Sequence, residues 1–152
     1  MSEPPVTQAR SFRLDAPRAR VFSLFTALGE RDWAPGCEPE MLSGAEERGS
    51  AFRTGNHDGQ ETVWVVTEYR PTEGRVSYAR LALGSNLGLV DVTCTEAHGG
   101  GTDVSARYAL TARSERAQAF VDAFLDAEHY SRMIDDWRQA TSAALANSAT
   151  FR

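Results

Sequence analysis

Apolar residues near the C-terminal end of the chain recur at intervals of three and four positions between residues 114 and 146. This spacing puts them on one side of an α-helix and leaves charged residues on the other side. Neither glycine nor proline interrupts the stretch, so the pattern predicts one amphipathic helix, about 45 Å long if unbroken, with Ser114 as its N-cap. The apolar positions are Phe120, Phe124, Ala127, Tyr130, Ile134, Trp137, Thr141 and Leu145.

Upstream of this helix, runs that alternate apolar and polar residues between turn-forming residues predict β-strands. Strands joined by short turns form antiparallel sheets. One of the turns is predicted at residues 56–59. The predicted strands are residues 6–14, 38–43, 51–55, 60–70, 75–83, 87–97 and 102–112.

Two short helices are predicted between strands 1 and 2. Asp15-Ala16-Pro17 leads into a helix over residues 18–28, which Gly29 should end, and residues 30–33 can form a second helical turn. The order of elements predicts an α+β fold, in which a curved seven-stranded antiparallel sheet wraps around a long C-terminal helix. We expect one domain over residues 1–152, with residues 1–5 disordered.

The charge and composition of the chain argue against some classes of binding partner. The net charge of -5 and the scattered positions of the 16 basic residues argue against nucleic acid. No apolar run reaches the roughly 20 residues that a membrane helix needs, and no signal peptide is recognised, so membrane insertion is not expected. Two lone thiols, Cys37 and Cys94, suit a reducing environment and predict a cytoplasmic location.

The sequence carries no motif typical of metal, covalent or phosphate chemistry. The histidines His57, His98 and His129 lack a second histidine or cysteine at ligand spacing. Cys94 lies within a predicted strand and should be a small buried hydrophobe, while Cys37 has no neighbouring base to activate it. Gly99-Gly100-Gly101 lie between two predicted strands, so they predict a hairpin turn and not a phosphate loop. We therefore expect no metal, no cofactor and no covalent nucleophile.

Several short sequence segments occur in an order typical of a known superfamily. They are Asp15-Ala16-Pro17 with Val21-Phe22, Trp33-Ala34-Pro35-Gly36, Thr62-Val63-Trp64-Val65-Val66-Thr67-Glu68-Tyr69 before Pro71, Arg75-Val76-Ser77-Tyr78, Gly100-Gly101-Thr102-Asp103-Val104, and the terminal helix with Trp137. Over about residues 6–146 the chain resembles the START-like superfamily, also called SRPBCC or Bet v 1-like. Within it, the chain is similar to bacterial polyketide cyclase/dehydrase-type proteins.

The resemblance implies a helix-grip fold, in which the sheet grips the C-terminal helix and leaves an elongated, mostly apolar cavity. Members of the superfamily bind lipids, sterols, polyketides, plant hormones and other hydrophobic molecules. A minority are enzymes, such as aromatase/cyclases, and others are activators of the chaperone Hsp90 or subunits of ring-hydroxylating oxygenases. The fold therefore leaves the function open.

Strand alternation indicates which side chains line such a cavity. Strict alternation puts Trp64, Val66 and Glu68 on one face of their strand, and Tyr78 and Arg80 on one face of theirs. If Arg80 faces the cavity, it favours an anionic or carbonyl oxygen on the ligand, and the alternative is that it points to water. The predicted cavity residues are Phe25, Trp33, Met41, Trp64, Tyr78, Arg80, Val92, Tyr108, Phe124, Tyr130 and Met133.

Three functions are consistent with these patterns. The first is binding of a small hydrophobic or amphipathic ligand, lipid- or polyketide-like, in the cavity. The second is a polyketide cyclase or dehydratase, with Arg80, Tyr78, Tyr108 or Glu68 supplying proton transfer or enolate stabilisation. The third is an interaction module similar to the Hsp90 activators. The sequence leaves open whether the protein is an enzyme and whether it forms a homodimer.

Overall fold

The computed structural model describes residues 3–34, 38–55 and 61–150. Its strands are β1 (Val6–Leu14), β2 (Glu40–Ser43), β3 (Ala51–Gly55), β4 (Glu61–Arg70), β5 (Arg75–Ala82), β6 (Asn86–Glu96) and β7 (Thr102–Ala112). Its helices are α1 (Arg18–Ser23), a 3-10 helix (Gly29–Asp32), α2 (Glu115–Phe124) and α3 (Ala127–Thr150). The strands form one antiparallel sheet in the order β1-β7-β6-β5-β4-β3-β2.

This architecture confirms the predicted curved antiparallel sheet of seven strands, the long helix at the C-terminus and the short helices between strands 1 and 2. Each predicted strand is present, and its ends differ from the prediction by two residues or fewer. The predictions at Cys37, His57 and the turn at 56–59 lie outside the described residues. The domain limits and the disorder predicted for residues 1–5 stay predictions.

The C-terminal region consists of two helices, so the prediction of one unbroken helix was wrong. α2 ends at Phe124, and Asp126 then begins α3 by accepting a hydrogen bond from the amide of His129 through its carboxylate, at 3.3 Å. Buried Leu125 lies at the break, with 2% of its surface exposed. The change of direction lets α2 contact β7 while α3 contacts β1, so both helices cover the inner face of the sheet.

The first helix is also shorter than predicted. α1 ends at Ser23, because the hydroxyl of Ser23 donates to the carbonyl of Arg20 and that of Thr26 donates to the carbonyl of Ser23. Gly29 then begins the 3-10 helix instead of ending α1. A Cβ at position 29 would lie 1.8 Å from the carbonyl oxygen of Ser23. Only glycine therefore permits the chain to fold back this closely on α1.

A β-bulge in β4 changes the predicted faces of that strand. Val66 pairs with Tyr78, but the register then shifts and Glu68 pairs with Ser77. The bulge turns Tyr69 towards the core and Glu68 towards the outer face, where its carboxylate lies 3.4 Å from Arg70 and 3.5 Å from Arg75. The prediction that Glu68 shares a face with Trp64 and Val66 was therefore wrong.

The inner face of the sheet and the apolar sides of the helices form the core. Around one end, Val76, Val92 and Cys94 pack with residues of the α1 region. At the other end, residues of β6 and β7 pack against α2 and α3, where Tyr130 and Ile134 are each 1% exposed. Among the described residues, none of the helices combines the length and the apolar character that crossing a membrane requires.

Candidate functional site

Aromatic rings occupy the middle of the space between the sheet and the helices. Phe25, Trp33 and Trp137 contact one another, with ring centroids 5.4–6.2 Å apart. Tyr108 extends the group, with its ring 6.3 Å from Trp137 and 5.8 Å from Tyr130. These tilted and edge-on contacts are favourable geometries for aromatic pairs, so the rings brace one another.

Four aromatic side chains of the inner face form hydrogen bonds to the protein itself through their polar atoms. A buried hydroxyl or indole N–H needs a partner, and the bonds found here fix the orientation of each ring. The hydrogen bonds run from Trp33 Nε1 to Leu24 O (2.6 Å), Tyr78 OH to Phe25 O (2.7 Å), Tyr130 OH to Ala106 O (2.7 Å) and Trp64 Nε1 to Thr54 Oγ1 (3.0 Å).

Arg80, on β5, differs from these side chains because its buried Nε has no hydrogen-bond partner. Its guanidinium carbon lies 5.6 Å from the ring centroid of Trp64 and 5.5 Å from that of Phe124, so the cation lies against two aromatic rings. Its Nε is buried without a hydrogen-bond partner, and no carboxylate of the described residues forms an ion pair with it. Burial lowers the pKa of Arg80. A half-buried cation without a counter-ion is unfavourable unless another molecule supplies the negative charge.

Three further ionisable side chains in this region have shifted pKa values. Burial raises the pKa of the Glu30 carboxyl, on the 3-10 helix, to about 8. The residue as a whole is half-buried. Burial raises the pKa of Tyr108 to about 12, while the charge of Arg80 lowers it and that of Glu30 raises it. The pKa of Tyr78 is also raised, chiefly by burial and next by the charge of Glu30. The hydroxyl of Tyr108 is thus affected by the charges of both Arg80 and Glu30.

Beside Arg80, a cleft of about 420 Å³ opens between the ends of β4, β5 and β6 and the first turns of α2. We call it the α2 cleft. Its lining contains two arginines and no acidic residue. It is lined by Thr62, Arg80, Ala82, Gly84, Ser85, Asn86, Ser114, Arg116, Ala117 and Phe120.

The structure brings most of the predicted cavity residues to the inner face. Phe25, Trp33, Tyr78, Val92, Tyr108 and Tyr130 are buried, and Trp64, Arg80 and Phe124 are half-buried around the guanidinium. The other two members are partly buried and pack against the same core. Met41 borders a small void of about 10 Å³ near Phe52 and Tyr78. Met133 borders an outer groove with Arg10 and His129. The role of all eleven residues in binding stays a prediction.

Sequence reasoning missed Glu30, Asn86 and Arg116. Glu30 follows the glycine that was expected to end the first helix, and glutamate residues mostly lie at the surface of proteins. Its only local signal was its place three residues before Trp33, on the same side of a helical turn. Asn86 and Arg116 are 30 positions apart in the chain and meet only through the packing of α2 on the sheet.

Other candidate chemistry lies elsewhere. Cys94 is confirmed as a buried small hydrophobe, 0% exposed, and burial raises the pKa of its thiol to about 12. Within the part of the chain that the structure describes, no three histidine, cysteine, aspartate or glutamate side chains gather as a metal site would require. Glu68 lies on the outer face with its arginine partners, so its predicted role in proton transfer inside the cavity was wrong.

The sheet order and the helices packed on its inner face define a helix-grip protein of the Bet v 1-like class. Residues 6–140 match the model of the family described as polyketide cyclase / dehydrase and lipid transport, and the chain belongs to that family. No protein of curated function matches the sequence.

Solved structures share the fold at low sequence identity. The Zhui aromatase/cyclase from Streptomyces sp. R1128 is 14% identical, with a TM-score of 0.69 over 91% of this chain and 92% of that one. Norcoclaurine synthase from Thalictrum flavum is 11% identical, with a TM-score of 0.68 over 94% and 88%. An uncharacterised protein from Rhizobium leguminosarum is 17% identical, with a TM-score of 0.68 over 97% of both chains. At these identities the likeness concerns the fold alone.

Proposed function

We propose that the protein binds a small hydrophobic or amphipathic molecule between the sheet and the helices, with a carbonyl or anionic oxygen of that molecule at Arg80. Membership of the family supports ligand binding or a cyclase role in general. The observation that carries the specific proposal is the unpaired guanidinium of Arg80 against the rings of Trp64 and Phe124. Aromatic faces suit the apolar body of a ligand, and the cation suits its oxygen.

The free-energy cost of burying Arg80 supports a role in binding rather than in folding. Bringing an unpaired cation out of water costs several kcal/mol, and each cation–π contact returns only about 0.5–2 kcal/mol. Leucine in its place would pack against the same two rings without that cost. Side chains that reduce stability are expected mainly where function needs them.

The test combines binding and stability of Arg80→Leu. Titration with 8-anilinonaphthalene-1-sulfonate, an anionic aromatic probe, should show at least roughly tenfold weaker binding to the variant, whereas neutral Nile red should bind both proteins similarly. The thermal midpoint of the variant should equal or exceed that of the wild type. Unchanged sulfonate binding, or a large loss of stability, would show that Arg80 serves the fold instead.

A second function, catalysis by a cyclase or dehydratase, is favoured by one observation. Glu30 and Arg80 both act electrostatically on the hydroxyl of Tyr108, and the pKa of Glu30 near 8 suits a group that exchanges protons near neutral pH. Arg80 would stabilise an enolate, and Glu30 would take or return its proton.

Enolisation can be measured without knowing the natural substrate. With 1-phenyl-1,3-butanedione in D2O, the wild type should accelerate deuterium exchange at the central carbon. Glu30→Gln should lose about 10²-fold or more of that acceleration, the range typical of general acid–base groups. Equal exchange with and without protein would leave binding as the function.

A further inference from the structure

The α2 cleft concentrates positive charge in an acidic protein. Arg80 and Arg116 both line it, although the chain carries a net charge of -5. Arg116 forms no ion pair with any residue that the structure describes. Glu115 follows the N-cap but borders a separate groove with Glu3 and Gln118. No residue that lines the cleft therefore neutralises the charges of Arg80 and Arg116.

Arg116 also occupies an electrostatically unfavourable position. It is the second residue of α2, where the N-terminal end of the helix dipole is positive and acidic residues are preferred. Ser114 caps one amide of the first turn, that of Ala117 at 3.1 Å. The amides of Glu115 and Arg116 have no acceptor within the helix. An anion in the cleft would compensate the arginine, the free amides and the dipole together.

Asn86 supplies an independent indication of a ligand. It is 1% exposed and lines the cleft, and its Nδ2 donates to the hydroxyl of Ser85 at 3.0 Å while its Oδ1 has no partner. A buried polar atom without a partner is rare in native proteins and needs an explanation. A half-turn of the amide would let Oδ1 accept from the Ser85 hydroxyl and direct the N–H groups elsewhere. The same side chain can then donate to an oxyanion.

We propose that the α2 cleft binds an oxyanion head group, a carboxylate or a phosphate, of the ligand whose apolar body contacts Phe120, Phe124 and the interior rings. Arg80 and Arg116 neutralise the charge, and Asn86 and the first turn of α2 donate hydrogen bonds. Phe120 would lie where the charged head group and the apolar body of the ligand meet. It is 46% exposed, and its ring stacks on Phe124 with centroids 5.7 Å apart. This inference rests on the proposed function and specifies the class of ligand.

The probes are 1-naphthylacetate, its uncharged methyl ester and 1-naphthyl phosphate, each titrated by calorimetry. The acid should bind the wild type more tightly than the ester. Arg116→Gln should weaken binding of the acid roughly threefold to tenfold and change binding of the ester by less than about twofold. Arg132→Gln is the matched control, since Arg132 is exposed on α3 and pairs with Glu128 outside the cleft. The ratio of phosphate to carboxylate affinity identifies the preferred head group.

The outcomes separate the two proposals. Equal binding of acid and ester to the wild type, or equal effects of Arg116→Gln and Arg132→Gln on the acid, would overturn the oxyanion site and leave the binding of apolar ligands intact. Failure of all three probes to bind would overturn both proposals. Because Arg116 is exposed, its replacement leaves the core unchanged, and matching thermal midpoints of the two variants will verify that both fold.

Discussion

Replacing Glu30 with glutamine should remove a pH dependence from the stability of the folded protein. Burial raises the pKa of this carboxyl from 4.5 to about 8, so between these values the folded state holds a proton that the unfolded chain releases. Stability from this group is therefore complete below about pH 4.5 and is lost as the pH rises through about 8. Glutamine, which does not ionise, should keep the stability of the protonated form at every pH.

The magnitude follows from the two pKa values. Their difference corresponds to an upper limit of about 5 kcal/mol, at about 1.4 kcal/mol per pH unit. Water reaches part of the half-buried Glu30 residue and weakens the effect, so we expect about 2–3 kcal/mol. For a chain of this length, that gain at high pH should raise the thermal midpoint of Glu30→Gln by about 4–12 °C relative to the wild type.

The assay is urea unfolding followed by tryptophan fluorescence at pH 5 and pH 9, for the wild type, Glu30→Gln and the exposed control Glu47→Gln. Comparing variants cancels the pH effects that all three proteins share. Glu30→Gln should exceed the wild type at pH 9 and approach it at pH 5, and Glu47→Gln should follow the wild type. Equal stability differences at both pH values would refute the assignment of a buried, proton-holding Glu30.

Three other predictions concern the scaffold of the site. Tyr130→Phe should cost about 1 kcal/mol in urea unfolding, because the buried hydrogen bond from its hydroxyl to the carbonyl of Ala106 is lost; an unchanged midpoint would contradict that hydrogen bond. Cys94 should resist a thiol reagent in the native protein at pH 8 and react after unfolding, since it is 0% exposed and burial raises its pKa to about 12; rapid native labelling would contradict its placement. Ser114→Ala should cost about 1 kcal/mol through loss of the cap on Ala117, whereas Ser114→Asp should restore most of it.

The strands were predictable because their signal is local. Alternation within each strand and the turn residues between strands depend on near neighbours, and tight turns leave few choices for antiparallel order. Departures from the pattern were less visible. The bulge in β4 has no glycine to mark it, and it reversed the faces assigned to Glu68 and Tyr69. Asp126, which begins α3, lies within an uninterrupted helical periodicity, so the break beside it was hidden.

The candidate site was predictable only in part, because its polar members come from distant parts of the chain. Arg80 could be assigned to the same face as Tyr78 from alternation alone. Which groups surround its guanidinium could not be predicted, because Trp64 and Phe124 are brought to it by two different elements. The burial of the Glu30 carboxyl likewise arises only in the folded chain, and no local pattern in the sequence encodes it.

The most direct test of ligand binding is native mass spectrometry of the wild type and Arg80→Leu, each purified from the protein's own host. We expect that the wild type carries a bound small molecule, that gentle activation releases it, and that the variant retains much less of it. Equal occupancy in the two proteins, or polypeptide mass alone in the wild type after mild purification, would contradict the claim that the arginine beside the two rings holds an oxygen of a small ligand.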